Sequence, residues 1–313
     1  MTYELRGKRV WVAGHRGMVG SALVRRLRAE DCEILTVPRS EVNLLDQAAT
    51  TAWIERERPH AVFLAAARVG GILANDTFPA DFLYDNLMIE TNIIHGSSLA
   101  GVERLLFLGS SCIYPKFAPQ PIREDSLLTG PLEQTNEWYA IAKIAGVKLC
   151  QAYRAQHGCQ FTSAMPTNLY GSHDNFDLQN SHVIPALIRK AHEAKVSASL
   201  TMTIWGTGRP RREFLHADDC ADALVFLLRH YHGAGPVNVG SGSDLTILDL
   251  AHLVAEVVGF EGRIENDLTK PDGTPRKLMS ADILAGLGWR PRIGLRDGLA
   301  QAYRWYLDSL RPA

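Results

Sequence analysis

Tyr139 and Lys143 stand four residues apart in NEWYAIAKIAG, and Ser110 lies upstream, after the apolar run in LLFLGSSCIY. In a helix, positions i and i+4 share a face, so this spacing sets the Lys143 ammonium beside the Tyr139 phenol. A nearby cation favours the phenolate, and the pair alone predicts a tyrosine pKa drawn down from about 10 toward neutrality. Such a phenol gives a proton to a carbonyl oxygen, or takes one from an alcohol, near neutral pH. Ser110, at the C-terminal end of a strand, is placed to hold the same oxygen by a hydrogen bond. By itself Y-x-x-x-K also occurs on the solvated faces of many helices, so its weight depends on what precedes it.

The segment RVWVAGHRGMVGSALVRRL reads as a buried strand over Arg9–Ala13, a glycine turn, and a helix with apolar Val19, Leu23, Val24 and Leu27. Gly14, Gly17 and Gly20 give G-x-x-G-x-x-G rather than the commoner G-x-G-x-x-G. Such turns let the backbone approach a pyrophosphate while helix amides point at the anion. Glycine turns after strands often serve packing only; joined to the Tyr–Lys pair, this one points to a nicotinamide dinucleotide. In the NAD fingerprint an acid after the second strand binds the ribose 2′-OH. Here that strand ends Thr36-Val37-Pro38-Arg39, with no acid at the turn, and Arg16 sits inside the glycine loop. Two guanidiniums suit a 2′-phosphate, which favours NADP(H). Merely solvated arginines, with Glu41 nearby, leave an NAD reading open.

These residues need a frame that brings strand ends together. Strands are predicted over Arg9–Ala13, Glu33–Val37, Ala61–Ala67, Arg104–Gly109 and Phe161–Pro166. Helices are predicted over Met18–Glu30, Leu45–Glu57, Pro79–Gly101 and Glu137–His157. That βαβ rhythm predicts an α/β, Rossmann-type, doubly wound parallel sheet with ligands beyond the strand C-termini. In the second half, SHVIPALIRKAHEA, ADDCADALVFLLRHY and DLTILDLAHLVAEVVGF read as helices, and TMTIWG and GPVNVGSG as strands. The predicted division is residues 1–170 for the cofactor domain, with a returning segment near 213–241, and 171–313 mainly for a smaller, interleaved substrate domain.

At 313 residues, 46% apolar and with a formal charge of −1, the chain has the composition of a globular enzyme without a broad basic surface for nucleic acid. No apolar stretch reaches the 18 or so residues of a membrane span, and MTYELRGKRV lacks the apolar core of a signal peptide. Five irregularly spaced cysteines (Cys32, Cys112, Cys150, Cys159, Cys220) fit free thiols in a reducing cytoplasm rather than disulfides or a zinc site.

Over its whole length the chain resembles the extended short-chain dehydrogenase/reductases, and within them the enzymes that epimerise and reduce GDP-linked 4-keto-6-deoxy sugars. The resemblance is carried by GHRGMVGSA, LAAARVGGILAND, LLFLGSSCIYPK, EWYAIAKIAG, MPTNLYG, NSHVIPAL, REFLHADD and KPDGTPRK. Ser172 follows LYG where relatives are expected to have proline, a departure in a loop. The resemblance implies a homodimer and a reaction in two stages. Protons are exchanged at C3 and C5, both alpha to the C4 ketone, and NADPH then reduces that ketone. It assigns Cys112 and His182 to the epimerisation and Ser110, Tyr139 and Lys143 to the reduction. The candidate cofactor contacts are Gly14, Arg16, Gly17, Met18, Val19, Gly20, Arg39, Asn43, Leu44 and Ala65, then Leu108, Gly109, Ser110, Ser111, Tyr139, Lys143, Pro166, Thr167, Asn168, Leu169 and His182. For the GDP-sugar it points to Lys190, Trp205, Arg212 and Asp272.

Chemistry agrees with that division. Epimerisation needs a base on one face of a carbon and an acid on the other, and a thiol with an imidazole fills both roles. Taken alone, Cys112 also reads as an inert buried cysteine, and His182 as a cap-region or surface histidine. Arg212 suits a phosphate, whereas Trp205 also reads as core packing, Lys190 as a solvated helix residue and Asp272 as a turn residue. A 4,6-dehydratase would carry an acidic pair where this chain has Ser111-Cys112. A UDP-hexose 4-epimerase would need no Cys/His pair. A non-catalytic NADP sensor on this fold would have lost Tyr139 or Lys143.

Overall fold

Alternating apolar and amphipathic segments build a parallel sheet in the first half of the chain. The computed structural model describes residues 2–178, 181–270 and 272–311; Asn180 and Pro271, within two segments quoted above, lie outside the described residues. Strands β1 (Arg9–Ala13), β2 (Glu33–Leu35), β3 (Ala61–Leu64), β4 (Arg104–Leu108) and β5 (Phe161–Pro166) alternate with helices. These are α1 (Met18–Leu27), α2 (Gln47–Glu57), the consecutive α3 (Ile72–Thr77) and α4 (Pro79–Leu99), and α5 (Glu137–His157). The chain continues through β6 (Asn168–Tyr170), α6 (Val183–Val196), β7 (Thr201–Trp205), β8 (Arg211–His216), α7 (Ala217–His230) and β9 (Val237–Val239). Its last elements are β10 (Asp244–Thr246), α8 (Ile247–Val258), β11 (Arg263–Asp267), β12 (Arg276–Lys277), α9 (Asp282–Gly286) and α10 (Leu295–Ser309).

The main sheet has the order β2-β1-β3-β4-β5-β9 with every pair parallel. A parallel sheet is covered on both faces, so its strands are apolar on both sides; Val10, Trp11 and Val12 of β1 are all fully buried. On one face Leu23 and Leu27 of α1 meet Ala223 and Leu224 of α7. On the other, Trp53 of α2, Ile93 of α4 and Val147 of α5 share a core in which Trp11 and Trp53 lie 4.4 Å apart, ring to ring.

β2 and β3 end earlier than their apolar runs predict. Residues 65–67 outrun their neighbour, because β1 stops at Ala13 and its last carbonyl is used by the Ala65 amide at 3.0 Å; residues 36–37 leave the sheet although β1 still runs beside them. Val37 and residues 65–67 become pocket wall.

A smaller sheet centres on β8, antiparallel to β10 and parallel to β6 and β12, while β7 pairs with β11. Beneath it Leu187 of α6, Met202 of β7, Leu250 and Val254 of α8 and Tyr306 of α10 form a separate core. Helix α8 opens as its Asp/Thr signature predicts, with the Asp249 amide donating to Thr246 Oγ1 at 3.0 Å. Buried Glu213 of β8 accepts from the amides of Gly242 at 2.7 Å and Met279 at 3.1 Å. Tyr114 donates to Asn238 at 2.6 Å, and Asn238 to the Ile122 carbonyl at 3.0 Å. These bonds fasten β12 and the loop after Ser110 to the sheets, and so fix the far side of the site.

Candidate active site

Beyond the C-terminal ends of β1, β3, β4 and β5 lies a cavity of about 650 Å³. Its walls include all the candidate cofactor residues, from the Gly14–Gly20 turn through Arg39, Asn43, Leu44, Ala65, Leu108–Ser111, Tyr139, Lys143 and Pro166–Leu169 to His182. Pro38, Ala66 and Arg68, at the predicted strand ends, line it too, as do His15, Asp85 and Ile89, which sequence reasoning did not single out.

The three turn glycines divide by cause. Gly14 has φ +86, and a side chain there would stand 2.7 Å from the Ala66 backbone. At Gly20 it would collide with the Gly14 carbonyl. Both are required by the fold. Gly17 is not, because a Cβ there would meet nothing nearer than Gly14 O at 3.5 Å. Gly17 is also the N-cap of α1, which has no side-chain cap and no acid in its first turn. That open, amide-lined helix end facing the cavity fits a pyrophosphate. Arg16 and Arg39 lie exposed on the same rim, and neither takes part in an ion pair among the described residues.

Ser110 is the hub of the reactive groups. It follows β4 just past Gly109 and caps the short 3₁₀ turn Ser111–Ile113, accepting from the Cys112 amide at 3.3 Å. Its hydroxyl is close enough to the side chains of Tyr139 and Cys112 to favour the charged form of each. Tyr139 packs edge-on against Phe82 at 6.4 Å. The Lys143 ammonium lies 5.8 Å from the Tyr139 ring centre, 4.6 Å from the Phe107 ring and 3.7 Å from Glu90 Oε2.

The expected depression of the tyrosine pKa is not found. Burial, then the Cys112 and Glu90 charges, hold the Tyr139 phenol well above its ordinary value, against the Ser110 hydrogen bond. Burial also lowers Lys143, though Glu90 and Cys112 support its charge. Reading i, i+4 as a tyrosine–cation pair overlooked Glu90, which shares that cation and carries the opposite charge.

Cys112 does not line the cavity wall; it is buried just beyond Ser110. Burial raises its thiol, while Lys277, Ser110 and Lys143 act to lower it. His182 is the N-cap residue of α6 without a capping bond; it keeps an exposed surface, and partial desolvation by the surrounding wall lowers its pKa. At neutral pH the pair is therefore a thiol and an unprotonated imidazole, one group holding a proton and the other able to take one.

The four candidate substrate residues fall in the second half of the chain, Lys190 on α6, Trp205 at the end of β7, Arg212 on β8 and Asp272 between β11 and β12. Lys190 donates to the Thr203 carbonyl at 3.1 Å and stands 5.5 Å from the half-exposed Trp205 ring, with Lys270 at 5.5 Å from the same ring. Asp272 accepts from the Thr207 amide at 2.8 Å and hydroxyl at 2.7 Å, so its carboxylate closes a turn beside Trp205. Arg212 is aligned with Lys277 across the β8–β12 pair, which sets two cations side by side near Cys112. Lys277 was visible in the sequence only as part of KPDGTPRK; its register opposite Arg212 is what exposes its role.

Fold and site together define a nicotinamide-dependent enzyme of nucleotide sugars, and residues 10–240 match the NAD dependent epimerase/dehydratase family. The chain belongs to that family. It is 60% identical to the GDP-L-fucose synthase of Sinorhizobium fredii over 98% of each chain, and 53% identical to that of Escherichia coli over 96% of this chain and 97% of the other. Among solved structures it is similar to a GDP-L-fucose synthetase from Naegleria fowleri bound to NADP, at 27% identity and a TM-score of 0.90, covering 99% of this chain and 96% of that one. A GDP-6-OMe-4-keto-L-xylo-heptose reductase from Campylobacter jejuni is 34% identical with a TM-score of 0.91, covering 99% and 100%.

The charge balance at Cys112 is directly testable. Alkylation by iodoacetamide, mapped by mass spectrometry over a pH series, should give Cys112 a mid-point above that of an ordinary thiol. Lys277→Met, which removes a cation favouring the thiolate, should raise it further. A mid-point at or below the ordinary value, or one indifferent to Lys277→Met, contradicts this electrostatic assignment.

Proposed function

We propose that the protein converts GDP-4-keto-6-deoxy-D-mannose to GDP-L-fucose by epimerising C3 and C5 and reducing C4 with NADPH. The observation that supports this reading is Ser110, which accepts from the Cys112 amide and whose hydroxyl acts on the side chains of both Tyr139 and Cys112. Reduction and epimerisation share the C4 oxygen, and Ser110 stands beside one proton-handling group of each, Tyr139 and Cys112. The cofactor domain of this reading is residues 1–170 with 213–241, and the substrate domain mainly 171–313.

In the first stage Ser110 and Tyr139 polarise the C4 ketone and stabilise the enolate that forms when a proton leaves C3 or C5. Cys112 and His182 move those protons, and their resting thiol and imidazole supply one acid and one base. In the second stage NADPH supplies the hydride. Tyr139 donates a proton to the C4 oxygen, and its raised pKa keeps it protonated for that purpose at neutral pH. Gly17 and the α1 amides would hold the pyrophosphate, and Arg16 with Arg39 the 2′-phosphate. Arg212 and Lys277 suit the substrate diphosphate, and Trp205 between Lys190 and Lys270 offers its guanine a stacking face. Asp272 serves this site by holding the turn beside Trp205.

Exposed Tyr84 on α4 and Trp138 and Ile141 on α5 support a homodimer through those helices. Among the described residues no helix is long and apolar enough to cross a membrane, and the five cysteines are free, which supports a cytoplasmic setting.

Purified protein given NADPH and GDP-4-keto-6-deoxy-D-mannose should yield GDP-L-fucose by NMR. No turnover would favour the NADP sensor, and a reduced product unchanged at C3 and C5 would favour a simple reductase. Replacing Arg16 and Arg39 together by alanine should raise the NADPH KM by about tenfold or more, the loss expected for charge-assisted bonds, and leave that for NADH nearly unchanged. Equal effects on the two cofactors would remove the arginines from 2′-phosphate recognition.

A further inference from the structure

Glu90 sits in the middle of α4 with its side chain 1% exposed, 3.7 Å from the Lys143 ammonium, itself 3% exposed. Neither carboxylate oxygen has a hydrogen-bond partner of ordinary geometry. A buried ionisable carboxyl without such bonds costs stability, and an apolar residue would suit this helix better. The helices nevertheless close around it: a Cβ on Gly146 would come within 3.0 Å of the Glu90 carboxyl carbon and 2.5 Å of the Phe107 ring. We propose that Glu90 is a positioning residue for the reduction, the fixed counter-charge that keeps the Lys143 ammonium charged and seated beside Tyr139.

The groups facing Glu90 are few. From α5 they are Tyr139, Lys143 and Cys150, each of which feels its charge. From β4 Phe107 contributes only its ring, and no charge on α2 or β3 acts on Glu90. Burial pushes the Glu90 carboxyl up to about 7, against the pull of Lys143. Above that pH it is a carboxylate, and its charge raises the pKa of both Lys143 and Tyr139. Reduction needs both protonated, Lys143 as a cation and Tyr139 as an acid. Removing the Glu90 charge therefore brings both deprotonations to lower pH.

This rests on the reductase roles of Tyr139 and Lys143, so the primary readout uses neither cofactor nor substrate. In protein carrying ¹³Cε-labelled lysine, the Lys143 resonance is the one missing from Lys143→Met. In the wild-type chain it should show an inflection near neutrality, where Glu90 ionises. In Glu90→Gln its own mid-point should fall by about one pH unit, and Glu90→Asp should restore most of it. With GDP-4-keto-6-deoxy-D-mannose and NADPH, the alkaline limb of kcat in Glu90→Gln should move to lower pH by a similar amount while the sugar KM stays constant. A Lys143 titration without the inflection overturns the proposal even if Glu90→Gln does not fold. So does a Glu90→Gln profile lowered equally at every pH, since loss of packing alone would do that. Failure of the GDP-L-fucose assay with the titration intact would count against the substrate and leave the pair standing.

Discussion

The closeness of α5 to β4 governs the rest of the site. Gly146 lies flat against Phe107, with no room for even a methyl group, and this sets the height of the helix above the sheet. One turn earlier, Lys143 comes over the same ring and beside Glu90. A further turn back, Tyr139 comes near Ser110, just beyond the end of β4. A helix raised by an ångström or two would separate the phenol from the hydroxyl and let water to the ammonium. The sheet supplies the fixed edge, and one glycine lets the helix come down to it.

Desolvation is the common electrostatic cause across the site. Desolvation is the leading influence on Tyr139, Cys112 and Lys143, and acts on His182 although that residue keeps an exposed surface; in every case it favours the uncharged form. The nearby charges of Glu90, Lys277 and Lys143 then adjust individual groups. A site held this way keeps its phenol and thiol protonated and its imidazole free, a starting state that has both a proton to give and a place to put one. That is what an epimerisation followed by a reduction requires at a single carbonyl.

Much of this was legible in the sequence because it is local. β1, β5 and α5 have the bounds their apolar patterns predict, and the Gly14–Gly20 turn, Arg39, Ser110 and the Tyr139–Lys143 pair all open onto one cavity. The direction of the tyrosine shift was not legible, because Glu90 lies some fifty residues before Lys143 and looks like any polar helix position. Lys277 was hidden in the same way, since only the β8–β12 register sets it against Arg212. The small sheet escaped detection because β6, β10 and β12 are only two or three residues long, too short to carry a period. Asp272 carried two readings in the sequence, a ligand contact and a turn residue, and its carboxylate closes a turn with Thr207.

The central claim is that two sets of proton-handling groups act on one carbonyl and are separable. Solvent-deuterium uptake by GDP-4-keto-6-deoxy-D-mannose in the presence of Tyr139→Phe, followed by NMR, tests it most directly. Ser110, Cys112 and His182 remain intact in that variant. Uptake at C3 and C5 should continue while NADPH oxidation falls by about a hundredfold or more, the usual contribution of a general acid. Loss of uptake together with hydride transfer would show that the two stages depend on one set of groups, contradicting the division drawn here.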